Sequence, residues 1–419
     1  METQLCRAAG GHEELACVSA PVTTPPLPAS QLPDGLTLFR FAHMTRHPTS
    51  GGIEAYLWQL NRTMLQRSRI RILQMYLTTD FHDRNVSVAR IGHGDLIWIP
   101  SLVSGISAEQ LPFGARCRMK LGLPTAEALN VDHRLLLSTL SEYRPDLAIF
   151  HWLSEDSEQV LETLLENGVP VAAVNHFDNA RLNAPGPKQQ LRRMRTIAAV
   201  TNIDIPSYLR GRVAELSDGI DTGFFRVEIA RRVPVAHHVV LLPARVCEIK
   251  GHLDAVKAVA LVLRRLPQTT LVFVGRAPSN AFAQQLACLI DRARLRDHVI
   301  FAGEVSAEQL RDWYAAAAVV ILPSYTEGLP RVLLEAQSME RPVLAYDVGG
   351  VRRSFCDGVG GFLVKPGDVI GLSQRLDELL DDPDRRRAIG AKGRCYILEN
   401  FSLDRLAERH ERFCRSALQ

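Results

Sequence analysis

The chain has 419 residues, 46% of them hydrophobic and 23% charged. That excludes a single small module and excludes disorder for its bulk, because a chain of this size and make-up buries two or three cores. Its 49 Lys and Arg against 46 Asp and Glu leave a formal net charge of +3, too little for the broad basic face of a dedicated nucleic-acid binder, so any polyanion must be met by a local group of cations. The eight cysteines are scattered, with no C-x-x-C pair and no zinc-like grouping with histidine, and read as reduced cytosolic thiols.

Residues 1–35 carry Ala, Thr, Ser and Pro without an apolar period, including the run Pro21-Val-Thr-Thr-Pro-Pro-Leu-Pro28, and are expected to be a flexible extension outside the fold. The first twenty residues lack a basic segment followed by an apolar one, and nowhere does an apolar run approach about 18 residues. Secretion and membrane spanning are therefore not expected, and a cytoplasmic location is.

From Leu36 onward short apolar runs alternate with longer amphipathic segments, the pattern of βα units on a parallel sheet. The first unit is the strand Leu36-Thr-Leu-Phe-Arg-Phe-Ala42, a Gly-containing loop and a helix over 53–66. Further strands are expected at 70–77, 96–99, 147–150, 169–174 and 197–201, with helices near 131–143 and 157–167. These form one doubly wound domain over 36–222. The pattern lapses into Gly, Phe, Arg and Pro around Asp221–Val235, read as the linker.

A cleaner series follows over 236–400. Its strands are expected at 238–242, 270–274, 298–302, 318–322, 342–346 and 361–364, with helices near 252–265, 280–292, 306–317 and 330–339. Helices continue from about 370, and the segment 401–419 is a helix long enough to return to the first domain. The fold class is thus α/β with two Rossmann-like sheets. Open parallel sheets bind ligands outside the carboxyl ends of their strands, so the residues just after each strand are the candidates.

After the fourth strand of the second series stands Pro323-Ser-Tyr-Thr-Glu327-Gly-Leu-Pro330-Arg-Val-Leu-Leu-Glu335-Ala. Gly328 permits an unusual backbone, Pro330 suits a first helical position, and the loop amides with the helix start can receive an anion. Glu335 sits in an otherwise apolar stretch, where a carboxylate is costly unless satisfied, and sugar hydroxyls are apt partners. The plainer reading is a helix start with two acidic residues. At the end of the first strand of the series, Arg245 and Lys250 stand five apart in Pro243-Ala-Arg245-Val-Cys-Glu-Ile-Lys250-Gly251; such a pair is solvated surface or a pair of phosphate-binding cations. Gly51-Gly52 is a βα turn or a point of close backbone approach, and His176 follows the strand over 169–175.

The segment from Glu327 to Ala336, following a strand that ends Leu322-Pro323-Ser324, closely resembles the signature of the retaining GT-B glycosyltransferases of family 4. Four further segments match that family in order: Ser217-Asp-Gly219-Ile-Asp221, Arg245 with Lys250-Gly251, Val274-Gly275, and Phe301-Ala-Gly303-Glu-Val305. The resemblance implies two facing Rossmann-like sheets and transfer of a sugar from a UDP- or GDP-linked donor to an acceptor hydroxyl, with retention and with neither a metal nor a cofactor required. It implies that Arg245 and Lys250 hold the diphosphate, Glu327 the donor sugar and Glu335 the ribose. His176 would face the reacting sugar, and Gly51, Gly52, Gly275, Gly328 and Leu329 would lie against the donor. Gly303, Glu304 and Val305 would read the base through main-chain groups. A carbohydrate or lipid-linked acceptor is implied, with surface polysaccharide or glycoconjugate synthesis the commonest setting and no nucleic-acid partner.

One departure stands out: many relatives have a Glu shortly after Gly349-Gly350, where this chain has Arg352-Arg353-Ser354, which bears on donor choice and suggests an anionic substrate group. The basic stretches 67–71 and 192–195 are read first as solvated helix faces and second as contacts for an anionic inner-membrane surface. Rival readings are a GT-B sugar-nucleotide epimerase or phosphorylase and a non-catalytic sugar-nucleotide-binding subunit. A dehydrogenase is disfavoured because no G-x-G-x-x-G follows any strand.

Overall fold

A computed structural model describes residues 39–45, 52–76, 87–99, 103–105, 129–131, 133–151, 153, 157–176, 185–199, 206–209, 211–216, 218–235, 238–277 and 281–418. The chain divides into two compact units, the first ending at Ala173 apart from short returns at Arg193–Arg195 and Leu418, the second taking Val174–Arg192 and Thr196–Ala417.

The first sheet contains β1 (Phe39–Thr45), β2 (Ile70–Tyr76), β3 (Ser87–Ile91), β4 (Gly94–Trp98), β7 (Leu147–Phe150), β8 (Val171–Asn175), β9 (Thr196–Ala199) and β10 (Val213–Glu215), and a separate pair is formed by β5 (Val103–Gly105) and β6 (Leu129–Val131). Its strand order is β10-β9-β8-β7-β1-β2-β4-β3. The helices between are α1 (Gly52–Arg67), α2 (His133–Tyr143), α3 (Ser157–Glu166) and α4 (Pro185–Arg193). Along α1, Leu57, Leu60, Met64 and Leu65 are buried, the i, i+3, i+7, i+8 stripe that an amphipathic helix lays on a sheet.

The expected strands and helices of this half appear within three residues of their predicted bounds, but β3, β5, β6, β10 and α4 were not expected. The strand β3 lies at the sheet edge and pairs antiparallel with β4; its alternating Ser87, Val88, Ala89, Arg90 and Ile91 lacks the apolar run that marks a strand covered on both faces. The pair β5–β6 is three residues long on each side, and α4 is too polar to show an apolar stripe. Arg192 and Arg193 end α4, and Arg193 pairs with Glu158 at 2.6 Å, so that basic stretch is partly committed to a neighbouring helix.

The second sheet has β11 (His238–Pro243), β12 (Thr269–Val274), β13 (Val299–Gly303), β14 (Val319–Leu322), β15 (Val343–Tyr346) and β16 (Gly361–Val364). All six are parallel, in the order β13-β12-β11-β14-β15-β16, and each begins or ends within a residue of its predicted bounds. Successive side chains serve opposite faces. Val240, Leu242, Leu271 and Phe273 join one core with Val256, Val259, Leu286 and Leu376, whereas Val239, Leu241, Val272 and Val320 join another with Tyr314, Leu333 and Ala336. The helices that supply these residues are α5 (His252–Val262), α6 (Ala281–Arg292), α7 (Ala307–Ala316), α8 (Arg331–Ser338) and α10 (Val369–Asp381). A short α9 (Val351–Ser354) and the long α11 (Pro383–Asn400) and α12 (Leu403–Leu418) complete the second unit.

The start of α12 is stitched to the 218–221 segment. Ile220 N donates to the Phe401 carbonyl at 2.9 Å, Leu403 N donates to the Ile220 carbonyl at 3.2 Å, and a Cβ on Gly219 would lie 2.8 Å from Leu406 Cβ. Further along, His410 is fully buried, and burial pushes its imidazole down to about 4. Below the ordinary value of 6.5 the unfolded chain takes up a proton that the folded chain refuses, so this contribution is complete above pH 6.5 and is lost as pH falls toward 4, at about 1.4 kcal/mol per pH unit. Urea unfolding at a series of pH values should therefore show His410→Leu with a shallower acid loss of stability, by about one proton; an unchanged slope would show that this imidazole is protonated in the fold.

Candidate active site

The strand order of the second sheet reverses between β11 and β14, the switch point at which loops leave in opposite directions and open a ligand site at the carboxyl ends. Lys250 lies in a 3-10 turn, Glu248–Lys250, after β11, and Glu327 lies in the loop after β14. Lys250 Nζ donates to Glu327 Oε1 at 2.6 Å. The two side chains are 21% and 9% exposed, so the pair is sheltered yet open on one side.

Close backbone approaches hold these loops. Gly251 takes φ +69°, and a Cβ there would fall 1.9 Å from the Pro323 carbonyl oxygen, while Tyr325 N donates to the Ile249 carbonyl at 2.8 Å. Gly350 N donates to the Glu327 carbonyl at 3.2 Å, and Cβ atoms on Gly349 and Gly350 would lie 2.0 Å from the Glu327 oxygen and 1.8 Å from the Gly328 oxygen. Only residues without a side chain permit this packing. Gly328 itself takes no left-handed backbone, contrary to the expectation from sequence; the special geometry belongs to the Gly349-Gly350 loop that its carbonyl touches. Pro330 likewise is the residue before the helix and not its first, with ψ 102° and the helix starting at Arg331, as the steric demands of the proline ring and an extended cap allow.

Glu335 is buried on α8 and satisfied on its inner side by the Tyr314 hydroxyl, which donates to Oε2 at 3.0 Å. Burial raises its carboxyl above the usual carboxylate range, with Arg331 and the Tyr314 hydrogen bond opposing that and the Asp218 charge adding to it. The Tyr314 hydroxyl is raised well above its ordinary value by burial and by Glu335, so it is a neutral donor. A second buried carboxylate, Asp254 on α5, accepts from the hydroxyls of Tyr325 at 2.5 Å and Tyr346 at 3.0 Å. It anchors the exposed Tyr325 between Ser324 and Glu327; the Asp254 bond pushes the Tyr325 hydroxyl up to about 12. These partners escaped the sequence reading, although a lone Asp in the apolar His252-Leu-Asp-Ala-Val-Lys-Ala-Val was a signal that a donor must reach it.

Arg245 is exposed on the loop after Pro243 and enters no ion pair among the described residues. Its loop is tied down by Val246 N donating to the Arg276 carbonyl at 3.0 Å, and Gly275 N donates to the Gly303 carbonyl at 2.8 Å. Gly275 has φ +147°, with its Cβ position 2.4 Å from the Ala244 oxygen. Arg245, Gly275 and Gly303 are thereby brought to one edge, with Glu304 exposed and Val305 half-buried beside them. Leu329 packs on the small core of Ile220, Leu334, Ile397 and Phe401. Beneath the Lys250 loop, buried His252 lies 4.9 Å from the Phe273 ring centre; burial pushes it down to about 4 while the Cys247 and Ala244 carbonyls favour its charged form.

His176 directly follows β8, and burial together with the charge of His410 pushes it down to about 3, so it is neutral. Gly52 opens α1, and Gly51 lies outside the described residues. Arg352 pairs with Asp347 and Arg353 with Glu215. Both arginines are therefore neutralised within the chain, which weakens their reading as cations for a substrate anion.

Comparison with solved structures defines the class. The chain is similar to sucrose-phosphate synthase from Thermosynechococcus elongatus, with a TM-score of 0.67, 20% identity and coverage of 90% of this chain and 98% of that one. The fold is therefore of the GT-B type, an α/β architecture of two Rossmann-like sheets. Residues 231–395 match the glycosyl transferases group 1 family, the stretch that holds Arg245, Lys250, Glu327 and Glu335. The D-inositol 3-phosphate glycosyltransferase of Arthrobacter sp. (strain FB24) is 37% identical over 159 residues, 38% of each chain. The GDP-mannose-dependent alpha-(1-6)-phosphatidylinositol monomannoside mannosyltransferase of Mycolicibacterium smegmatis is 31% identical over 241 residues, 52% of this chain and 62% of the relative. The chain thus spans less than two thirds of the length of these relatives.

Removal of the Lys250 cation strands the Glu327 carboxylate. Lys250→Met should lower unfolding free energy by about 1–3 kcal/mol, with much of it recovered in Lys250→Met/Glu327→Gln. Denaturant titration of the four-member cycle checks this, and strict additivity would mean that the pair has no energetic coupling.

Proposed function

We propose that the protein is a glycosyltransferase that moves a sugar from a UDP- or GDP-linked donor to an acceptor hydroxyl, with retention and without a required metal. The observation that carries this reading is the Lys250–Glu327 contact at 2.6 Å across the strand-order reversal. An ammonium that donates one hydrogen bond to Glu327 keeps two N–H donors for a phosphate, and Glu327 Oε2 remains an acceptor for a sugar hydroxyl. Phosphate and sugar subsites are therefore adjacent, as the bond between diphosphate and sugar requires.

Charge on the leaving diphosphate grows as the C1–O bond breaks, and fixed cations lower that barrier. Lys250 and exposed Arg245 supply the cations, and the amides at the start of α8 add their partial positive charge. On a retaining path the acceptor oxygen bonds to C1 on the face the phosphate leaves. The acceptor proton passes to a phosphate oxygen, so no protein base is needed. Neutral His176 would hydrogen-bond the reacting sugar, Glu335 the ribose, and Gly275 with Gly303, Glu304 and Val305 the base and diphosphate. The names of the relatives, with GDP-mannose and phosphorylated inositol acceptors, support a carbohydrate or lipid-linked acceptor. Among the described residues no helix is long and apolar enough to cross a membrane.

A screen of UDP- and GDP-sugars that reads release of UDP or GDP should find turnover with a donor, undiminished by chelator, and reduced about 100-fold or more in Lys250→Ala. Full turnover in Lys250→Ala would remove it from the diphosphate site. Abolition by chelator with recovery on adding magnesium would refute the metal-free mechanism.

A further inference from the structure

Arg331 opens α8 one turn before Glu335 and reaches out of its own helix. Its Nη1 donates to Asp218 Oδ1 at 2.8 Å and to the Gly219 carbonyl at 3.1 Å, while its Nε lies 3.9 Å from Glu335 Oε1. Glu335 Oε2 is already occupied by Tyr314. Oε1 is thus the oxygen left for a ligand, and the guanidinium is the cation beside it. The side chains of Arg331, Asp218 and Glu335 are 30%, 13% and 11% exposed, so two carboxylates share one arginine in a sheltered cluster.

We propose that Arg331 is a positioning residue for nucleotide recognition: anchored by Asp218 and the Gly219 carbonyl, its guanidinium holds the Glu335 carboxylate as the charged acceptor for a ribose diol. This rests on the reading of Glu335 as the ribose residue. Among the described residues, the other elements around α8 bring no second cation to Glu335. Tyr314 on α7 is a neutral donor. From α11, Ile397 joins the apolar core of Leu334, and Arg394 is turned to the Ser338 carbonyl and to Glu340. Below, β14 and β15 contribute the apolar Leu322 and Val343, and α9 contributes the Ser354 carbonyl to Gln337.

The direction follows from the charges. Burial and Asp218 favour protonation of Glu335, and Arg331 opposes it. Without Arg331, Glu335 holds its proton to higher pH, so the charged acceptor is lost as pH falls through a higher midpoint.

Calorimetric titration of the full chain with UDP and with GDP, between about pH 5.5 and 8.5, tests this. Affinity of the wild type should decline toward acid. Arg331→Met should shift that decline upward by about one pH unit or more, weakening binding about tenfold on the acid side of both midpoints. Arg331→Lys should bring the midpoint most of the way back, and Asp218→Asn added to Arg331→Met should lower it again by removing the second carboxylate. Arg331→Gln, which carries no charge but keeps hydrogen-bonding groups, serves the same test if the methionine variant does not fold. Glu335→Gln should bind weakly and keep only the pH dependence of the diphosphate itself, whose last ionisation lies at about pH 6. Wild-type affinity in Glu335→Gln for both nucleotides would remove the ribose reading and this proposal with it. Weak binding in Glu335→Gln with only the diphosphate's own pH dependence, combined with a wild-type pH profile in Arg331→Met, would overturn the proposal alone, as would a loss of equal size at every pH.

Discussion

The organisation of the second unit turns on one ion pair, Lys250 with Glu327, made where the parallel sheet reverses its order. A cation after β11 and a carboxylate after β14 lie far apart in sequence, and only hydrogen-bonded neighbouring strands put both loops at one sheet edge. The pair is short because the backbone around it is pressed together. Gly251 against Pro323, and Gly349 and Gly350 against Glu327 and Gly328, remove side chains wherever a loop carbonyl must pass. Charge and steric permission therefore select the same geometry, and each makes the other necessary.

A second constraint is the satisfaction of buried carboxylates. Asp254 and Glu335 would each be costly in an apolar core, and each is met by tyrosine hydroxyls drawn from other elements. These bonds join α5 to the β14 loop and α7 to α8, so they hold the loop that carries Tyr325 and the helix that carries Glu335. Where arginines could have offered free charge, they are instead paired, Arg352 with Asp347 and Arg353 with Glu215. Arg245 differs in being exposed and without an ion pair among the described residues, which suits a group whose partner is a ligand.

The second sheet could be read almost residue by residue because its central strands are covered on both faces and appear as apolar runs such as Val239–Leu242 and Val319–Leu322. The edge strand β3, interrupted by Ser87 and Arg90, has no such run and was invisible for that reason. The candidate residues Arg245, Lys250 and Glu327 stood out because each follows a strand, and Glu335 because a carboxylate interrupts an otherwise apolar stretch. Their partners did not. Tyr314 is 21 residues from Glu335, Tyr346 is 92 from Asp254, and Arg331 is 113 from Asp218, distances over which periodicity and spacing carry no information.

The sequence by itself determined the α/β class, the order of elements in the second unit and the set of charged residues at strand ends, because these depend on local period and on residue type. Tertiary structure decided which charges are free and which are paired, that the close approach belongs to Gly349 and Gly350 and not to Gly328, and that Glu335 shares its arginine with Asp218. The physical reason is that pairing, burial and backbone clearance are properties of neighbours in space, and a parallel sheet makes its neighbours from residues that the chain keeps far apart.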